Sequence, residues 1–333
     1  MLLNPAVIAL IAASILVGAF TLYACGVGLQ ILRQWDLDSA GERQLQLERK
    51  TYLVSSILSH VLAIELVSLF LFIAVVNHLH TFFTGAMCAA GVLNVNPFGH
   101  LTLAARTASF LCCGVWLVIN HVDAAAGDYP LIRFKYAFLL VIGLLLAAEG
   151  VLQVMFLAGL DPQILTSCCG TIFGEGSRGV AAGMAHLPAA AASGNFYGGM
   201  GLTLAAGAWF ARTGRHDWLY GLLSVAVFPL TLAALISFFC LYVYELPTHH
   251  CPFCMLQKEY HFIGYFLYGF LLVGVIAGAS IGIIGRFRKD VSPAGLVPQI
   301  QKRLCWVSLL GYGLFTLRVT WAIVFSDFKL TGY

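Results

Sequence analysis

The chain has 333 residues, of which 60% are hydrophobic and only 10% are charged, and its formal net charge is +3. A soluble globular domain carries about 25% charged residues, so this composition excludes one. The small net charge and the lack of any basic run also argue against a nucleic-acid partner. Membrane lipid is therefore the expected surrounding of most of the chain.

Eight apolar stretches are long enough for membrane-spanning helices, since a bilayer core needs about 20 residues per helix. The first continues to about residue 32 without a cleavage site, so we expect a retained span and not a signal peptide. Strands are excluded because open sheet edges do not occur in lipid. The predicted fold is a single all-α, polytopic membrane domain, residues 1–333, with spans near 5–32, 52–77, 101–122, 136–159, 197–212, 217–243, 260–285 and 304–326.

Basic residues concentrate in alternate connections between the predicted spans. Thirteen of the 18 Lys and Arg residues fall in one set of connections, and only Arg178, Lys258 and Lys329 fall in the opposite set or the tail. Because Lys and Arg mark the cytoplasmic side of a membrane, both termini are predicted to face outward. For a bacterial inner membrane, which is the expected location, the outward side is the periplasm.

Five of the ten cysteines lie in outward connections, and no cytoplasmic connection contains one. Thiols that face an oxidising compartment usually form disulfides or bind metals. The outward cysteines are therefore the leading candidates for a functional site. They are Cys88, Cys168, Cys169, Cys251 and Cys254.

The stretch HHCPFCMLQKEY, residues 249–260, combines a C-x-x-C pair with a lysine just before the seventh predicted span. A C-x-x-C at a helix N-terminus favours the thiolate, because unpaired N–H groups attract negative charge. Lys258 follows Cys254 by four residues, so one helical turn would let it stabilise an anion. The pattern indicates a redox dithiol at the water–lipid boundary, with Cys251 and Cys254 joined by a disulfide in the resting state.

The residues CPFCMLQK resemble the signature of the DsbB family of membrane thiol oxidoreductases. The resemblance implies that Cys251 and Cys254 form a dithiol that oxidises a periplasmic thioredoxin-fold partner. It also implies that the electrons pass to a bound quinone, either ubiquinone or menaquinone. The family has four helices and this chain predicts eight, so the resemblance carries the chemistry and not the architecture.

The resemblance also implies a position for the quinone. Lys258 would replace the family's usual arginine near the quinone, with Gln257 beside it, and His250 and His261 are further candidate contacts. A lysine that only extends its ammonium group to the lipid headgroups is the alternative for Lys258. The direction of electron flow stays open, because disulfide exchange follows the reduction potentials of the partners.

The adjacent pair Cys168–Cys169 is a poor candidate for a mutual disulfide. Neighbouring Cα atoms are about 3.8 Å apart, whereas unstrained disulfides need roughly 4.4–6.8 Å. A bridge from one of these cysteines to Cys88, or to Cys251 during turnover, is geometrically easier. We therefore predict that one cysteine of the pair couples to Cys88.

A metal or cofactor site is the principal alternative to a redox dithiol. The outward order C…CCG…CxxC resembles the cysteine set that binds iron–sulfur clusters in heterodisulfide reductases. Thiolates with histidines are also suitable ligands for Zn or Cu. A further alternative is a membrane subunit of a respiratory complex whose outward loops are joined by disulfides. The alternative ligands are Cys88, Cys168, Cys169, Cys251, Cys254, His249 and His250.

Four charged residues fall inside predicted spans, namely Glu65, Arg106, Glu149 and Arg318. Each costs at least about 2.5 kcal/mol at the bilayer centre if it is unpaired. Two acids and two bases therefore predict mutual ion pairs inside the bundle. These pairs either fix the register of the helices or form part of a proton path, and the sequence favours neither.

Overall fold

The structure of the protein is a computed structural model. It describes residues 4–36, 41–126, 129–164, 166, 180–292 and 295–329. Within these ranges all regular secondary structure is helical, and no strand is present. The prediction of an all-α polytopic membrane bundle is confirmed.

Long helices carry most of the described chain, and short helices and single 3₁₀ turns connect them. In chain order the helices are α1 (Pro5–Gln34), α2 (Glu42–Leu79), α3 (Ala89–Leu93), α4 (Phe98–Ala125), α5 (Ile132–Ala158), α6 (Val180–Ala185), α7 (Ala189–Thr213), α8 (Asp217–Ala234), α9 (Cys240–Tyr244), α10 (Ile263–Gly285) and α11 (Leu296–Val324). The 3₁₀ turns are His80–Phe82, Cys254–Leu256 and Lys258–Tyr260.

Within the described residues, seven helical segments are long and apolar enough to cross a membrane, and each coincides with a predicted span. Helix α7 is 25 residues long and contains the remaining predicted span, 197–212. Its Gly- and Ala-rich sequence is less apolar, so α7 does not belong to that group of seven. The chain is therefore a multi-pass helical membrane protein. The outward position of both termini stays a prediction.

The chain divides into two compact units. The first comprises Met1–Val75, Asn96–Leu160 and Phe287–Val297. In this unit α5 packs along both α1 and α4. Gly28 on α1 permits the close contact with α5, because a Cβ at that position would lie 3.0 Å from the ring of Tyr136.

Lys135 is one of the thirteen basic residues that the sequence analysis placed in cytoplasmic connections, and it is buried in the first unit. It lies in the first turn of α5, where its Nζ pairs with Asp123 Oδ2 at 2.5 Å. Asn120 Oδ1 accepts a further hydrogen bond from the same Nζ at 3.1 Å. Helix α5 begins at Ile132, four residues earlier than the predicted span, so Lys135 lies in the helix and not in the connection before it.

The second unit comprises Val76–Val95, Asp161–Arg286 and Pro298–Tyr333. Here α8 packs against both α7 and α10. The contact with α10 is close, because a Cβ on Gly221 would lie 2.9 Å from the Cα of Gly282. Small residues let helix backbones approach one another in membranes, where packing drives helix association. This contact fixes α8 against α10, the helix that follows the CPFC segment.

Helices α8 and α9 form one continuous helical segment that is interrupted by a π-helical turn, Leu235–Phe239. In this turn the N–H of Cys240 bonds to the carbonyl of Leu235, five residues back. Pro229, earlier in α8, cannot donate a backbone hydrogen bond. Single π turns are frequent at functional sites, and this one leads directly into Cys240.

Candidate functional site

Three buried cysteines from distant parts of the chain meet in the second unit. The Sγ atoms of Cys88 and Cys251 are 3.4 Å apart, and the Sγ of Cys254 lies within 4.8 Å of both. Cys88 and Cys251 are fully buried, and Cys254 is 5% exposed. We name these three residues the thiol cluster. It contains three of the five outward cysteines that the sequence analysis selected.

The backbone before Cys88 turns sharply and then enters a buried helix. Gly85 makes the turn with φ +89°, and a Cβ there would collide with the carbonyl oxygen of Thr166. The N–H of Thr166 donates to Thr84 O at 3.2 Å, which anchors the turn. Cys88 itself is extended and precedes α3, whose five residues are all buried. The turn requires glycine for two reasons. Other residues rarely adopt a positive φ, and their Cβ would collide with Thr166 O.

Two tyrosine hydroxyls hold the backbone of the CPFC segment. Tyr244, the last residue of α9, donates to Cys251 O at 2.6 Å. Tyr268 on α10 donates to Pro252 O, also at 2.6 Å. A buried carbonyl without a partner would cost about 1–3 kcal/mol, so these bonds stabilise the bent segment. The sequence analysis did not identify either tyrosine. The one feature of the sequence that could have indicated them is a hydroxyl group within each apolar segment beside the motif.

Gln257 joins the two cysteine-bearing segments. Its Nε2 donates to Met87 O at 2.6 Å, one residue before Cys88. Met87 is 73% exposed, so the chain beside Cys88 reaches the protein surface. The motif did not indicate this linking role of Gln257, and its predicted contact with a quinone stays a prediction.

The two histidines before the motif contact the helical segment that precedes it. His250 precedes Cys251 and bonds through Nδ1 to Ile236 O, inside the π turn, at 2.8 Å. The ring of His249 packs against Tyr244, with ring centroids 4.3 Å apart. As far as the described chain extends, the group of ligand atoms within 4.8 Å of one another contains sulfur and no histidine nitrogen.

The helix after the CPFC segment begins later than the sequence predicts. Helix α10 begins at Ile263, after two separate 3₁₀ turns, and Phe262 before it has φ +57°. Lys258 lies on the second turn and is exposed. The expectation that the motif sits at a helix N-terminus with Lys258 one helical turn deeper is therefore wrong.

The residues at the end of the second 3₁₀ turn are candidates for hydrogen bonding to a ligand. Tyr260 packs edge-on against Tyr244, with centroids 4.7 Å apart. Partial burial, a thiolate at Cys254 and the carboxylate of Glu259 raise the pKa of Tyr260. Its hydroxyl therefore stays protonated at neutral pH and can donate a hydrogen bond. His261 is exposed, with φ +52°, and its contact with a quinone stays a prediction.

Cys168 and Cys169 lie outside the described residues, so the predicted coupling of one of them to Cys88 stays a prediction. The predicted disulfide between Cys251 and Cys254 also stays a prediction. The contact between Cys88 and Cys251 is a pairing that the sequence analysis did not consider. The two residues are 163 positions apart, and no local pattern connects them.

A second buried polar group lies in the first unit, around Arg106 on α4. The Nη1 of Arg106 is 3.5 Å from Glu65 Oε1 and 3.3 Å from Glu149 Oε1. All three side chains are at most 4% exposed. The predicted pairing of intramembrane charges is thus confirmed for three of the four residues. We name this group, with its neutral partners, the Arg106 cluster.

Neutral side chains complete the Arg106 cluster. The Nη1 of Arg106 donates to Ser68 Oγ at 2.7 Å, and its Nη2 donates to Ser14 Oγ at 3.1 Å and to Gln153 Oε1. The guanidinium carbon lies 5.1 Å from the centre of the Phe72 ring. Helices α1, α2, α4 and α5 each contribute at least one member, so the cluster joins the four long helices of the first unit.

Arg318 is the fourth predicted intramembrane charge, and it makes no salt bridge with any residue that the structure describes. It lines a groove of about 480 Å³ between the first turns of α10 and the last turns of α11. The same part of α10 also borders the CPFC segment, because a Cβ on Gly264 would lie 2.9 Å from the side chain of Leu256. The other residues of the groove are apolar: Ile263, Phe266, Leu267, Phe270, Leu314, Leu317 and Trp321.

The sequence matches no protein-family model and no curated protein, and the structure matches no solved structure. Function is therefore inferred from the chain's own residues. Three features are chemically distinctive: the thiol cluster, the Arg106 cluster and the groove lined by Arg318, which we name the Arg318 groove.

Proposed function

We propose that the chain is a membrane thiol–disulfide oxidoreductase that exchanges electrons between an outward-facing thiol partner and a membrane quinone. The proposal is carried by the 3.4 Å distance between the sulfur atoms of Cys88 and Cys251, with Cys254 beside them. Disulfide exchange needs an attacking thiolate, the sulfur that it attacks and the sulfur that leaves. The thiol cluster supplies these three atoms.

The exchange step begins with the thiolate of Cys88, which attacks Sγ of Cys251 in a Cys251–Cys254 disulfide. The Cys88–Cys251 bond forms while the Cys251–Cys254 bond breaks. The bonding electron pair leaves with Cys254 as a thiolate, which then takes up a proton. This step involves no net oxidation, so it runs in either direction according to the potentials of the partners. Net oxidation of a partner dithiol releases two electrons and two protons, which convert the quinone to a quinol.

The proposed quinone site is the groove between α10 and α11. Its apolar walls suit the ring and tail of ubiquinone or menaquinone. The guanidinium of Arg318 is a charged donor for a quinone carbonyl, and it would stabilise the negative charge that develops during reduction. Helix α10 connects this groove with the thiol cluster, because Tyr268 on the same helix bonds to Pro252 O. The alternative position is beside Lys258, as the resemblance to the DsbB family implies.

A periplasmic thioredoxin-fold protein is the proposed thiol partner, and the bacterial inner membrane is the proposed location. The partner follows from the likeness of CPFCMLQK to the DsbB signature. The outward direction follows from the asymmetric distribution of Lys and Arg, and the proposed location follows from the same likeness to the DsbB signature. Exposed Met87, beside Cys88, offers the partner a point of approach.

Turnover of a dithiol and a water-soluble quinone analogue by the purified protein tests the proposal. The variants Cys88→Ser, Cys251→Ser and Cys254→Ser should each abolish turnover. Cys112→Ser is the matched control, since Cys112 is a half-buried cysteine on α4 outside the thiol cluster, and it should retain wild-type turnover. Unchanged turnover in any of the first three variants would contradict the proposed role of that cysteine.

A thiolate metal site is the second candidate, and the distances between the three sulfurs favour it. Zn–S bonds of about 2.3 Å at tetrahedral angles separate neighbouring sulfurs by about 3.8 Å. Cys88 Sγ and Cys251 Sγ are 3.4 Å apart, and no two sulfurs of the thiol cluster are more than 4.8 Å apart, so the three could surround one ion. Three thiolates also suit copper or part of an iron–sulfur cluster.

Metal analysis of the purified protein separates the two candidates. Stoichiometric metal that is lost in Cys251→Ser, without quinone-dependent turnover in the wild type, would replace the oxidoreductase proposal with a metal site. Metal-free protein with a disulfide that a dithiol reduces would support the oxidoreductase. Alkylation without reductant, followed by peptide mass spectrometry, counts the thiols in the same sample.

A further inference from the structure

We propose that the Arg106 cluster is a proton-binding site in the membrane-spanning part of the first unit, in which Glu65 and Glu149 share one exchangeable proton. The ligand is H⁺, and the two carboxyl groups hold it. Arg106 balances the charge of whichever carboxyl group is ionised. This site is independent of the thiol chemistry proposed for the second unit.

Charge balance is the first reason for a bound proton. Arg106 contributes one positive charge, which arginine does not lose in proteins. Glu65 and Glu149 contribute two negative charges when both are ionised, which leaves one in excess. A buried charge without a counterion costs several kcal/mol inside a membrane-spanning bundle. The remaining contacts of Arg106 within the described residues are neutral and do not compensate the excess: Ser14, Ser68, Phe72 and Gln153.

Hydrogen bonding between the two acids is the second reason. The carboxyl groups of Glu65 and Glu149 both lie within 3.5 Å of the same nitrogen, Arg106 Nη1, so they are neighbours, but two ionised carboxylates have no proton to donate to each other. With both acids ionised, Glu149 Oε2 has no partner among the residues that the structure describes, although Glu149 is only 3% exposed. A buried acceptor without a partner is costly. One proton between the two carboxyl groups supplies the missing bond.

Arg106 is suited to stabilise either position of the proton. Its Nη1 lies 3.5 Å from one acid and 3.3 Å from the other, whereas a strong charge-assisted bond is about 2.7–2.9 Å long. The guanidinium is therefore shared between the two carboxyl groups. When one of them takes the proton, the other keeps the ion pair, so the proton can change sides without a movement of α4.

Among the residues that the structure describes, few other titratable groups face the two acids. Cys113, about two turns beyond Arg106 on α4, is buried and close enough to interact with both carboxylates. A thiol carries no charge at neutral pH, so Cys113 does not supply the missing positive charge. Helix α1 contributes Ser14, and α5 contributes Gln153 besides Glu149. The proton therefore belongs to the two acids.

Infrared difference spectroscopy of the purified protein detects the proton directly. A protonated carboxylic acid has a C=O stretching band that is separate from the carboxylate bands and shifts in D₂O. We expect this band in the wild type at neutral pH. It should disappear in Glu65→Gln and in Glu149→Gln, because each variant leaves one carboxylate fully paired with Arg106. Glu42→Gln, which alters an exposed acid at the start of α2, is the control and should keep the band.

Thermal stability in detergent distinguishes the proton site from a purely structural ion pair. Each single Gln variant should be at least as stable as the wild type, because it removes the excess charge and leaves Arg106 a partner. The double variant Glu65→Gln/Glu149→Gln leaves Arg106 unpaired and should unfold at a lower temperature. Single variants that are as unstable as the double variant would overturn the proposal. Absence of the band in the wild type, or its loss on addition of Na⁺, would also overturn it.

Discussion

The thiol cluster and the Arg106 cluster are both almost fully buried, but they are built in opposite ways. The thiol cluster lies on segments between spans, and hydrogen bonds to backbone carbonyls hold those segments. The Arg106 cluster lies on four long helices, and its side chains bond directly to one another. Thiols behave as small apolar groups when buried, whereas each buried charge requires a partner.

This difference predicts which property each cluster controls. Replacing a thiol removes no buried charge, so its main effect should be on reactivity. Removing the cation of the Arg106 cluster, or both of its acids, leaves a buried charge uncompensated, so the main effect should be on stability. A cysteine variant of the thiol cluster that mainly loses stability, or a charge variant of the Arg106 cluster that mainly loses thiol exchange, would contradict the division between the clusters.

The largest effect is expected from Cys254→Ala, which removes the leaving sulfur of the exchange step. Oxidation should then trap a Cys88–Cys251 disulfide in nearly every molecule, because those sulfurs are already 3.4 Å apart. Non-reducing peptide mapping measures the product, and thermal stability should change little. Addition of Cys88→Ser in the same background is the control and should leave Cys251 open to alkylation. Labelling of both cysteines after oxidation would show that the two segments do not exchange.

Arg106→Met should lower the free energy of unfolding by about 3–5 kcal/mol, because two buried acids lose their cation. Denaturant unfolding in detergent measures the change. Arg318→Met is the matched control, since Arg318 is also in a span but makes no salt bridge with the described residues. It should change the same quantity by less than about 1 kcal/mol. Equal losses in the two variants would remove the special role of the Arg106 cluster.

The same Arg318→Met variant also tests the proposed quinone site between α10 and α11. It should reduce quinone-dependent turnover at least tenfold, which is about 1.4 kcal/mol in the barrier, and leave thiol exchange within the cluster unchanged. Lys258→Met tests the alternative quinone position. If the quinone binds beside Lys258, that variant carries the tenfold loss and Arg318→Met keeps wild-type turnover.

The smallest effect is expected from Tyr268→Phe, which removes only the hydroxyl that bonds to Pro252 O. The loss should cost about 1 kcal/mol of stability and slow thiol exchange severalfold, because the CPFC backbone becomes less constrained. Tyr312→Phe removes a comparable bond, to Ser224 O at 3.0 Å, and should cost similar stability without slowing exchange. If stopped-flow exchange rates are equal in the two variants, the backbone bonds do not control the thiol cluster.

Sequence predicted the helices well where apolar runs end at charged or turn-forming residues. The first span was predicted at 5–32 and the helix is Pro5–Gln34. The start of α10 was less predictable, because Met255 and Leu256 continue the apolar character into two short 3₁₀ turns. Hydropathy responds to side chains and does not distinguish these turns from the first turn of an α-helix.

The two clusters differed in how far the sequence could predict them. The cost of burying charge predicted that Glu65, Arg106 and Glu149 would pair, but not that Arg318 would make no salt bridge with a described residue. The spacing of Cys251 and Cys254 predicted a dithiol. The contact of Cys88 with that dithiol depends on a glycine turn and on the bond from Gln257 to Met87. Such long-range packing leaves no local pattern.

The π turn before Cys240 bears on how homologous chains would align with this one. Each N–H in a π turn reaches five residues back and not four, so the turn uses one residue more than an α-helix. Leu235–Phe239 therefore adds a residue inside an apolar segment. A homologue that closes the turn into an α-helix would be one residue shorter there and would keep Tyr244 beside the CPFC segment. The two chains would then differ by a single-residue gap in the middle of a span.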